Sequence, residues 1–485
     1  MIAADLALWL TTAALAVNTV RRLRGPLDAA LLVPLAWLVL IPVPSMVRGA
    51  ALGFTGTPAV NFYFATALAN LTLLGLQFFL RSRAFARLST GTVVAFDPGP
   101  RAADPVRLAK LWVLGLAVVA TGLAVFHLAL MPKVPLFEML RGMDDPHQLA
   151  LDRENAAKLL QAPAMLKYVF TWDSRMLFPV AFIAAVLLRW WRLAIPIGLI
   201  GFIYIVAPLE KFPSMVFVLG PFVAVAISQR KRLYSPILIL GVAASLMGPW
   251  LVIQGPSLSH TIHHLFEPGS AAVTPAPSVA PSPSPAGPAS LTYSIPGAVG
   301  GLADLVFRRI GTIPASVTYE WFAYFPEAHH GFLNGSGWEP WKVLSPNRQS
   351  PANMVALWAY YGHGRYNIAS QSAYASFIAD GWSEFGFAGV LAGCAALFGI
   401  VVVLELIRGF TSDAFCLACY VPALLELTAG LSSGGMPAII FSSGLALCPL
   451  LALGYLVSRR VVRSRPPQPL VARPSLKGET AGSVG

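Results

Sequence analysis

The sequence predicts an all-α, polytopic integral membrane protein, and three observations support this fold class. Of its 485 residues, 56% are hydrophobic and only 12% are charged, whereas a soluble domain carries about 25% charged residues. Apolar stretches of about 20 residues, each long enough to cross a bilayer as a helix, recur along the whole chain. Short clusters of arginine and lysine stand at the ends of these stretches, as they do in cytoplasmic loops. These observations exclude a soluble enzyme, a disordered protein and a secreted disulfide scaffold.

We expect eleven membrane-spanning helices, one for each apolar stretch. Their approximate bounds are 2–20, 27–47, 58–80, 108–131, 168–188, 193–209, 212–228, 235–255, 383–407, 413–431 and 437–457. The first helix has no basic residue before it and three after it, which favours an uncleaved anchor with an external N-terminus. Eleven crossings then place the C-terminus in the cytoplasm. All basic clusters fall on that same side: Arg21, Arg22 and Arg24; Arg81, Arg83 and Arg87; Arg189 and Arg192; Arg230, Lys231 and Arg232; Arg459, Arg460, Arg463 and Arg465.

The net charge of +12 is explained by this topology and does not indicate a nucleic-acid partner. The basic excess lies in the short cytoplasmic clusters, as the positive-inside rule requires. The external segment 132–167, by contrast, carries five basic and five acidic residues. We therefore expect membrane lipids, and no nucleic acid, to contact the charged surface.

The chain divides into four regions. Residues 1–255 form an N-terminal bundle of about eight helices, which includes the outer loop 132–167. Residues 256–382 form a large extracytoplasmic loop, and 383–457 carry the C-terminal transmembrane helices. The tail 458–485 is basic and cytoplasmic.

The large loop contains two distinct segments. Residues 268–290 include seven prolines and no charged residue, a composition typical of a disordered, solvated linker. Residues 296–325 are apolar but are interrupted by four charged residues. This pattern predicts an amphipathic helix at the membrane surface.

Two basic residues at or near membrane depth are candidate functional residues. Arg175 lies within the fifth predicted crossing, next but one to Asp173, and Lys211 lies between the sixth and seventh crossings, beside Glu210. Ionisable groups in the membrane are costly and therefore indicate function. Two structural alternatives remain open, namely ion pairs (Arg175 with Glu210, or Asp173 with Lys211) and snorkelling to the interface.

The outer loop carries four further arginines, Arg308, Arg309, Arg348 and Arg365. A guanidinium group binds phosphate oxygens through two parallel hydrogen bonds, so these residues are candidates for binding a phosphate or pyrophosphate. Attraction to anionic lipid headgroups is the alternative.

Candidate proton acceptors also lie outside the membrane. His329 and His330 are adjacent in the loop, and Asp380 and Glu384 stand four residues apart, so that a helix places both carboxylates on one face. Asp380 is alternatively an N-cap. A different cluster, His260-Thr261-Ile262-His263-His264, has no companion carboxylate motif, and we predict no metal site.

Several short motifs resemble those of one family, the O-antigen (Wzy-type) repeat-unit polymerases. They are Lys211-Phe212-Pro213-Ser214, Arg308-Arg309-Ile310, Phe325-Pro326, Gly331 to Gly335, Ala369-Ser370-Gln371, Asp380-Gly381-Trp382 and Phe385 to Gly389. About eleven helices and a large late external loop are similar to that family as well.

The resemblance implies an enzyme that joins oligosaccharide repeat units carried on undecaprenyl pyrophosphate, at the outer face of the bacterial inner membrane. The donor sugar is already activated, so no cofactor is expected. Arg175, Lys211, Arg308 and Arg309 would stabilise the departing pyrophosphate, and His329, His330 or Asp380 would accept the proton of the attacking hydroxyl. A flippase and a chain-length regulator are the implied protein partners.

Two other functions remain open. One is an O-antigen ligase or another polyprenyl-linked sugar transferase, for which Asp144-Asp145 in the outer loop is the candidate acidic pair, or else an ordinary turn. The other is a transporter, although no internal repeat is visible.

Overall fold

The computed structural model describes residues 1–50, 52–96, 105–141, 164–209, 211–245, 312–337, 350–361 and 373–464, together with residues 148, 152 and 156. All regular secondary structure within these ranges is helical. The all-α fold class predicted from composition is therefore confirmed for the described part of the chain.

The helices are numbered in chain order. They are α1 (Ile2–Arg22), α2 (Ala29–Leu40), α3 (Pro42–Arg48), α4 (Gly56–Arg81), α5 (Arg83–Phe96), α6 (Pro105–Leu130), α7 (Pro135–Leu140), α8 (Ala164–Trp172), α9 (Phe178–Leu187), α10 (Trp191–Val206), α11 (Lys211–Ser228), α12 (Pro236–Ser245), α13 (Ile313–Ala323), α14 (Pro351–Ala356), α15 (Phe377–Phe385), α16 (Phe387–Arg408), α17 (Ala414–Gly430) and α18 (Leu447–Ser464). Four short π-helical turns also occur: Asp173–Leu177, Tyr324–Ala328, Leu357–Tyr361 and Ala438–Ser442.

Six helical segments of the described chain are long and apolar enough to cross a membrane. They are Ile2–Arg22, Ala29–Arg48, Gly56–Arg81, Val106–Leu130, Met165–Leu187 and Phe387–Arg408. Four shorter apolar helices, α10, α11, α12 and α17, coincide with other predicted crossings. A helical membrane protein is thus supported, and the number eleven stays a prediction.

Helix α17 lies at the centre of the bundle. It packs against α2, α9, α11, α16 and α18, and thirteen of its seventeen residues are buried. A helix that is apolar on every side is expected in such a position.

The ninth predicted crossing, 383–407, begins later than expected. The chain turns at Gly386, where φ is +59°, and α15 then packs along α16 as a hairpin. A β-carbon on Gly389 would lie only 1.9 Å from the Gly381 carbonyl oxygen, so the two backbones can touch because both residues are glycines. Asp380 lies inside α15, and Ser376 occupies the N-cap position. The alternative that Asp380 is an N-cap is therefore wrong.

The predicted surface helix 296–325 is described only from residue 312. Its described part forms α13, which begins after Thr312 and packs against α4 and α15. Residues Pro314, Val317, Thr318, Trp321 and Phe322 are buried in these contacts. This part of the segment is therefore integrated into the helical bundle.

The two ends of the bundle differ in composition. One end, which we call the basic end, contains the start of α2 and α17 and the ends of α1, α16 and α18. Its ionic contacts join Arg22 to Asp28, Arg408 to Glu405 and Arg459 to Asp413. The opposite end, which we call the site end, contains α13, α14, α15, the N-terminus of α8 and the segment that follows α17.

Candidate functional site

Arg175 lies in the π-helical turn Asp173–Leu177, between α8 and α9. Its Nη1 atom is 2.6 Å from Oε1 of Glu426, which is 3% exposed on α17. The same nitrogen donates a longer hydrogen bond, 3.4 Å, to the Ser443 hydroxyl. Glu210, the partner considered from sequence, lies outside the described residues. π-Helical turns are often found at functional sites, because the extra residue redirects a side chain.

A cavity of about 60 Å³ adjoins Arg175. We call it the cationic cavity, since Lys167 and Arg175 line it. Its other lining residues are His127, Thr171, Ser174, Tyr204, Phe170, Ala156, Ile205, Pro208 and Pro213. Two basic side chains, Lys167 and Arg175, beside one cavity are suited to binding an anion with several oxygen atoms. Pro213, from the motif at the start of α11, is part of the same wall.

Two of the lining residues, His127 and Tyr204, are buried and hydrogen-bonded to each other. Nδ1 of His127 and the Tyr204 hydroxyl share a hydrogen bond of 2.9 Å, and the His127 ring stacks on Phe170 at a centroid distance of 4.2 Å. Asp173 is completely buried on the same π-helical turn as Arg175. These contacts hold the cavity wall in one arrangement.

A second cavity, of about 90 Å³, lies at the site end and is lined by Asp380. We call it the acidic cavity. Its other lining residues are Trp321, Gly337, Ser350, Pro351, Ala352, Tyr374, Ala375, Ser433, Gly434, Gly435, Pro437 and Ala438. The Asp380 carboxylate lies directly against Gly435, where a β-carbon would come within 2.0 Å of Oδ2. The absence of a side chain at Gly435 therefore leaves room for this carboxylate.

Glu384 lies one helical turn after Asp380 and is completely buried. Its Oε2 atom accepts a hydrogen bond of 3.3 Å from the Gly337 amide. The backbone amides of Leu333 and Asn334 donate to the carbonyl oxygens of Ser383 and Glu384, both at 2.9 Å. Glu384 thus fixes the loop 331–337 to the end of α15.

One segment, 433–443, connects the two cavities. Gly435 packs against Asp380, and Ser443, eight residues later, accepts a hydrogen bond from Arg175. Between them, the Phe441 carbonyl oxygen accepts a 2.5 Å hydrogen bond from the Trp172 indole nitrogen. The candidate base Asp380 and the candidate cation Arg175 are therefore held by the same short piece of chain.

The histidine candidates lie on another side of α15. Nδ1 of His329 is 3.2 Å from the Gly331 carbonyl oxygen, and its ring packs near Phe325. The Phe325 carbonyl oxygen accepts a hydrogen bond from Trp382, which projects away from Asp380 because two helical residues are about 200° apart. His330 is exposed. Among the described residues, the segment 433–443 contacts both Asp380 and Arg175. The described contacts of His329 are with other residues.

Five candidates have no described side chain. Only the backbone of Lys211 is described, at the start of α11, and Arg308, Arg309, Arg348 and Arg365 lie outside the described residues. They stay predictions. Among the residues that the structure does describe, there is no group of three or more His, Cys, Asp or Glu side chains that could hold a metal ion.

Sequence reasoning did not select Glu426, Ser443 or Gly435. Glu426 could have been found, because it is an ionisable residue inside a predicted crossing, the same signal that selected Arg175. Ser443 and Gly435 carry no such signal, since serine and glycine are common in any loop. Only their contacts with Arg175 and Asp380 reveal them.

Comparisons of the chain with protein-family models, with curated proteins and with solved structures found no match. The function is therefore inferred from the chemistry of the two cavities. A cation beside a cavity, with a carboxylate nearby, is suited to a reaction in which an anionic group leaves while a hydroxyl group loses its proton.

Proposed function

We propose that this chain is an integral membrane glycosyltransferase that polymerises oligosaccharide repeat units linked to polyprenyl pyrophosphate. The observation that carries the proposal is the segment 433–443, which contacts Asp380 at one end and Arg175 at the other. Together with the motif resemblance, this shared segment supports the proposal that a candidate base and a candidate leaving-group cation serve one reaction.

In this proposal the pyrophosphate of the donor binds at the cationic cavity. Arg175 and Lys167 contact its oxygens, and Arg175 is held ready by Glu426, so little reorganisation is needed as negative charge develops on the leaving group. Pairing with Glu426 also prevents Arg175 from standing as an isolated buried charge.

The acceptor sugar occupies the acidic cavity. Its hydroxyl oxygen forms a bond to the anomeric carbon of the donor sugar, the bond from that carbon to the pyrophosphate oxygen breaks, and the hydroxyl proton passes to Asp380. Polyprenyl pyrophosphate leaves as an anion. Tyr374, which is largely exposed beside Asp380, is placed to stack on a sugar ring.

The membrane orientation follows from charge. With eleven crossings, the basic end faces the cytoplasm and the site end faces outward, in agreement with the positive-inside rule. The bacterial inner membrane is the membrane in which polyprenyl-linked sugars are displayed on that face. Arg308, Arg309, Arg348 and Arg365 belong to the same external loop and would extend the phosphate-binding surface.

The test is a reconstitution of the full chain in proteoliposomes with a purified polyprenyl-pyrophosphate-linked oligosaccharide. We expect a ladder of products that differ by one repeat unit, with release of one polyprenyl pyrophosphate per bond formed. Arg175→Gln should reduce the initial rate by about 10²- to 10³-fold, as removal of a preorganised charge-stabilising donor does. Arg459→Gln, at the basic end, is the matched control and should retain the rate per folded molecule.

Other outcomes would assign a different function. Transfer of a single unit to a lipid acceptor, with no ladder, would indicate a ligase. Movement of the lipid-linked oligosaccharide across the bilayer without bond formation would indicate a transporter. Either result would refute polymerisation.

A further inference from the structure

An open apolar groove of about 540 Å³ runs along α6. Leu108, Trp112, Gly115 and Val119 form its length, and Leu177 and Leu451 close its sides. Val119 is 53% exposed, and Leu111, which also lines the groove, is 59% exposed. The groove thus opens sideways from the bundle, in the direction of the surrounding lipid.

The groove lies in the half of the bundle nearest the basic end. Trp112 forms the wall of the groove nearest the basic end, and it packs against Phe415 and Tyr455. The Tyr455 hydroxyl donates a 2.7 Å hydrogen bond to Asp413, the carboxylate paired with Arg459. The part of the groove around Trp112 therefore adjoins the ionic contacts of the basic end.

The length of the groove matches one leaflet. Leu108 and Val119 are eleven residues apart on a continuous helix, a distance of about 16 Å along the axis. Half of a hydrocarbon core of about 30 Å is about 15 Å. A single acyl chain that enters at the basic end would fill the groove and end near the middle of the membrane.

A cation stands at the entrance. Arg107 is exposed and precedes Leu111 by one helical turn, so the two side chains share a face of α6. A guanidinium group at this level meets the phosphate of a lipid whose chain lies against Leu111. The Arg107 side chain and the start of the apolar groove thus lie at the same end of α6.

We propose that this groove binds one anionic phospholipid from the leaflet at the basic end, with an acyl chain along Leu108 to Val119 and the phosphate on Arg107. A polyprenyl chain anchored at the site end would have to pass through the opposite leaflet before reaching Leu108. The site is thus a structural lipid site that holds α6 against α18, and it does not depend on the proposed enzymatic function.

Two glycines of α6 provide a matched test. A β-carbon on Gly115 would have no neighbouring atom within 4 Å, and the same is true of Gly122, two turns further along the same helix. A β-carbon can therefore be added at either position without displacing the protein's own atoms. Gly115 lines the groove, whereas Gly122 does not.

The experiment is native mass spectrometry of the full chain, delipidated in detergent and titrated with phosphatidylglycerol or phosphatidylcholine. We expect one tightly bound phosphatidylglycerol, at least about tenfold weaker binding in Gly115→Phe, and unchanged binding in Gly122→Phe, because only the first side chain fills space that an acyl chain would occupy. Arg107→Gln should abolish the preference for the anionic lipid over phosphatidylcholine. Equal binding by the two glycine variants would overturn the proposal.

A second measurement needs no variant. Phosphatidylglycerol with a photoreactive acyl chain, added to the wild-type protein in vesicles, should crosslink to residues 108–119. Absence of crosslinks there, or crosslinks from a photoreactive polyprenyl phosphate in place of phosphatidylglycerol, would contradict the assignment.

Discussion

Both ends of the helix bundle bury carboxylates close to arginines, but the surroundings of those carboxylates differ. At the basic end, Glu405 accepts hydrogen bonds from Arg408 at 2.5 Å and from the Ala29 amide at 2.8 Å. Asp413 is similarly bound by Arg459 and by the Tyr455 hydroxyl. Each of these groups joins two or more helices through several direct contacts.

At the site end, the carboxylate of Asp380 faces a cavity and the glycine backbone of Gly435. Arg175 is paired with Glu426, yet it also lines a cavity and remains 24% exposed. Asp380 and Arg175 are thus held by neighbouring residues, and each of them also borders a cavity.

A charge at membrane depth is therefore not by itself a sign of function. Ionic contacts that join helices stabilise the fold, because breaking one leaves an uncompensated buried charge. A charged group that also lines a cavity can contact a ligand that enters the cavity. The adjoining space, more than the residue type, separates Asp380 from Asp413.

The largest expected effect tests this separation directly. Asp380→Asn should lower the polymerisation rate by about 10³-fold, since the amide cannot accept the hydroxyl proton. Asp413→Asn makes the same chemical change at the basic end and should leave the rate per folded molecule nearly unchanged. Initial rates in proteoliposomes, normalised to folded protein, measure the effects of both substitutions. Equal losses of rate would show that the carboxylates at the two ends do not differ in function.

A smaller effect is expected on stability at the basic end. Glu405→Ala should reduce the free energy of unfolding by about 3 kcal/mol, because it leaves Arg408 without its buried partner. Thermal unfolding in detergent measures the loss, and Glu405→Gln, which keeps an acceptor for the Ala29 amide, should lose less. Loss of polymerisation activity without loss of thermal stability would instead indicate that Glu405 has a functional role and not a structural one.

The smallest effect concerns two adjacent glycines at the acidic cavity. Gly435→Ala places a methyl group within 2.0 Å of the Asp380 carboxylate, whereas in Gly434→Ala the nearest atom is 3.8 Å away. Displacement of a reacting group by about 1 Å can reduce a rate by up to about 10²-fold. We expect such a reduction for Gly435→Ala only, measured as the polymerisation rate; similar rates for both variants would argue against a positional role for Gly435.

Some parts of the fold and site were accessible from sequence. Runs of apolar residues located several helices within a few residues, as the overlap of 58–80 with Gly56–Arg81 illustrates. The predicted crossing 437–457 was wrong at its start, because a π-helical turn ends at Ser442 and the helix begins only at Leu447. The break at Gly386 was not foreseen, because the apolar run continues through it and only the contact between Gly381 and Gly389 requires the turn. Arg175 was identifiable because charge is rare in a membrane span.

Local sequence was enough to predict the helical membrane class, whereas the sidedness that it predicts for the basic clusters stays a prediction. It also determined that Asp380 and Glu384 share a helix face, which follows from a spacing of four residues. The pairing of distant charged residues is visible only in the folded molecule. Arg175 and Glu426 are 251 residues apart, and Asp380 meets Gly435 across a gap of 55 positions in the sequence. Such pairings depend on how helices pack in three dimensions, and no local pattern of residues specifies that packing.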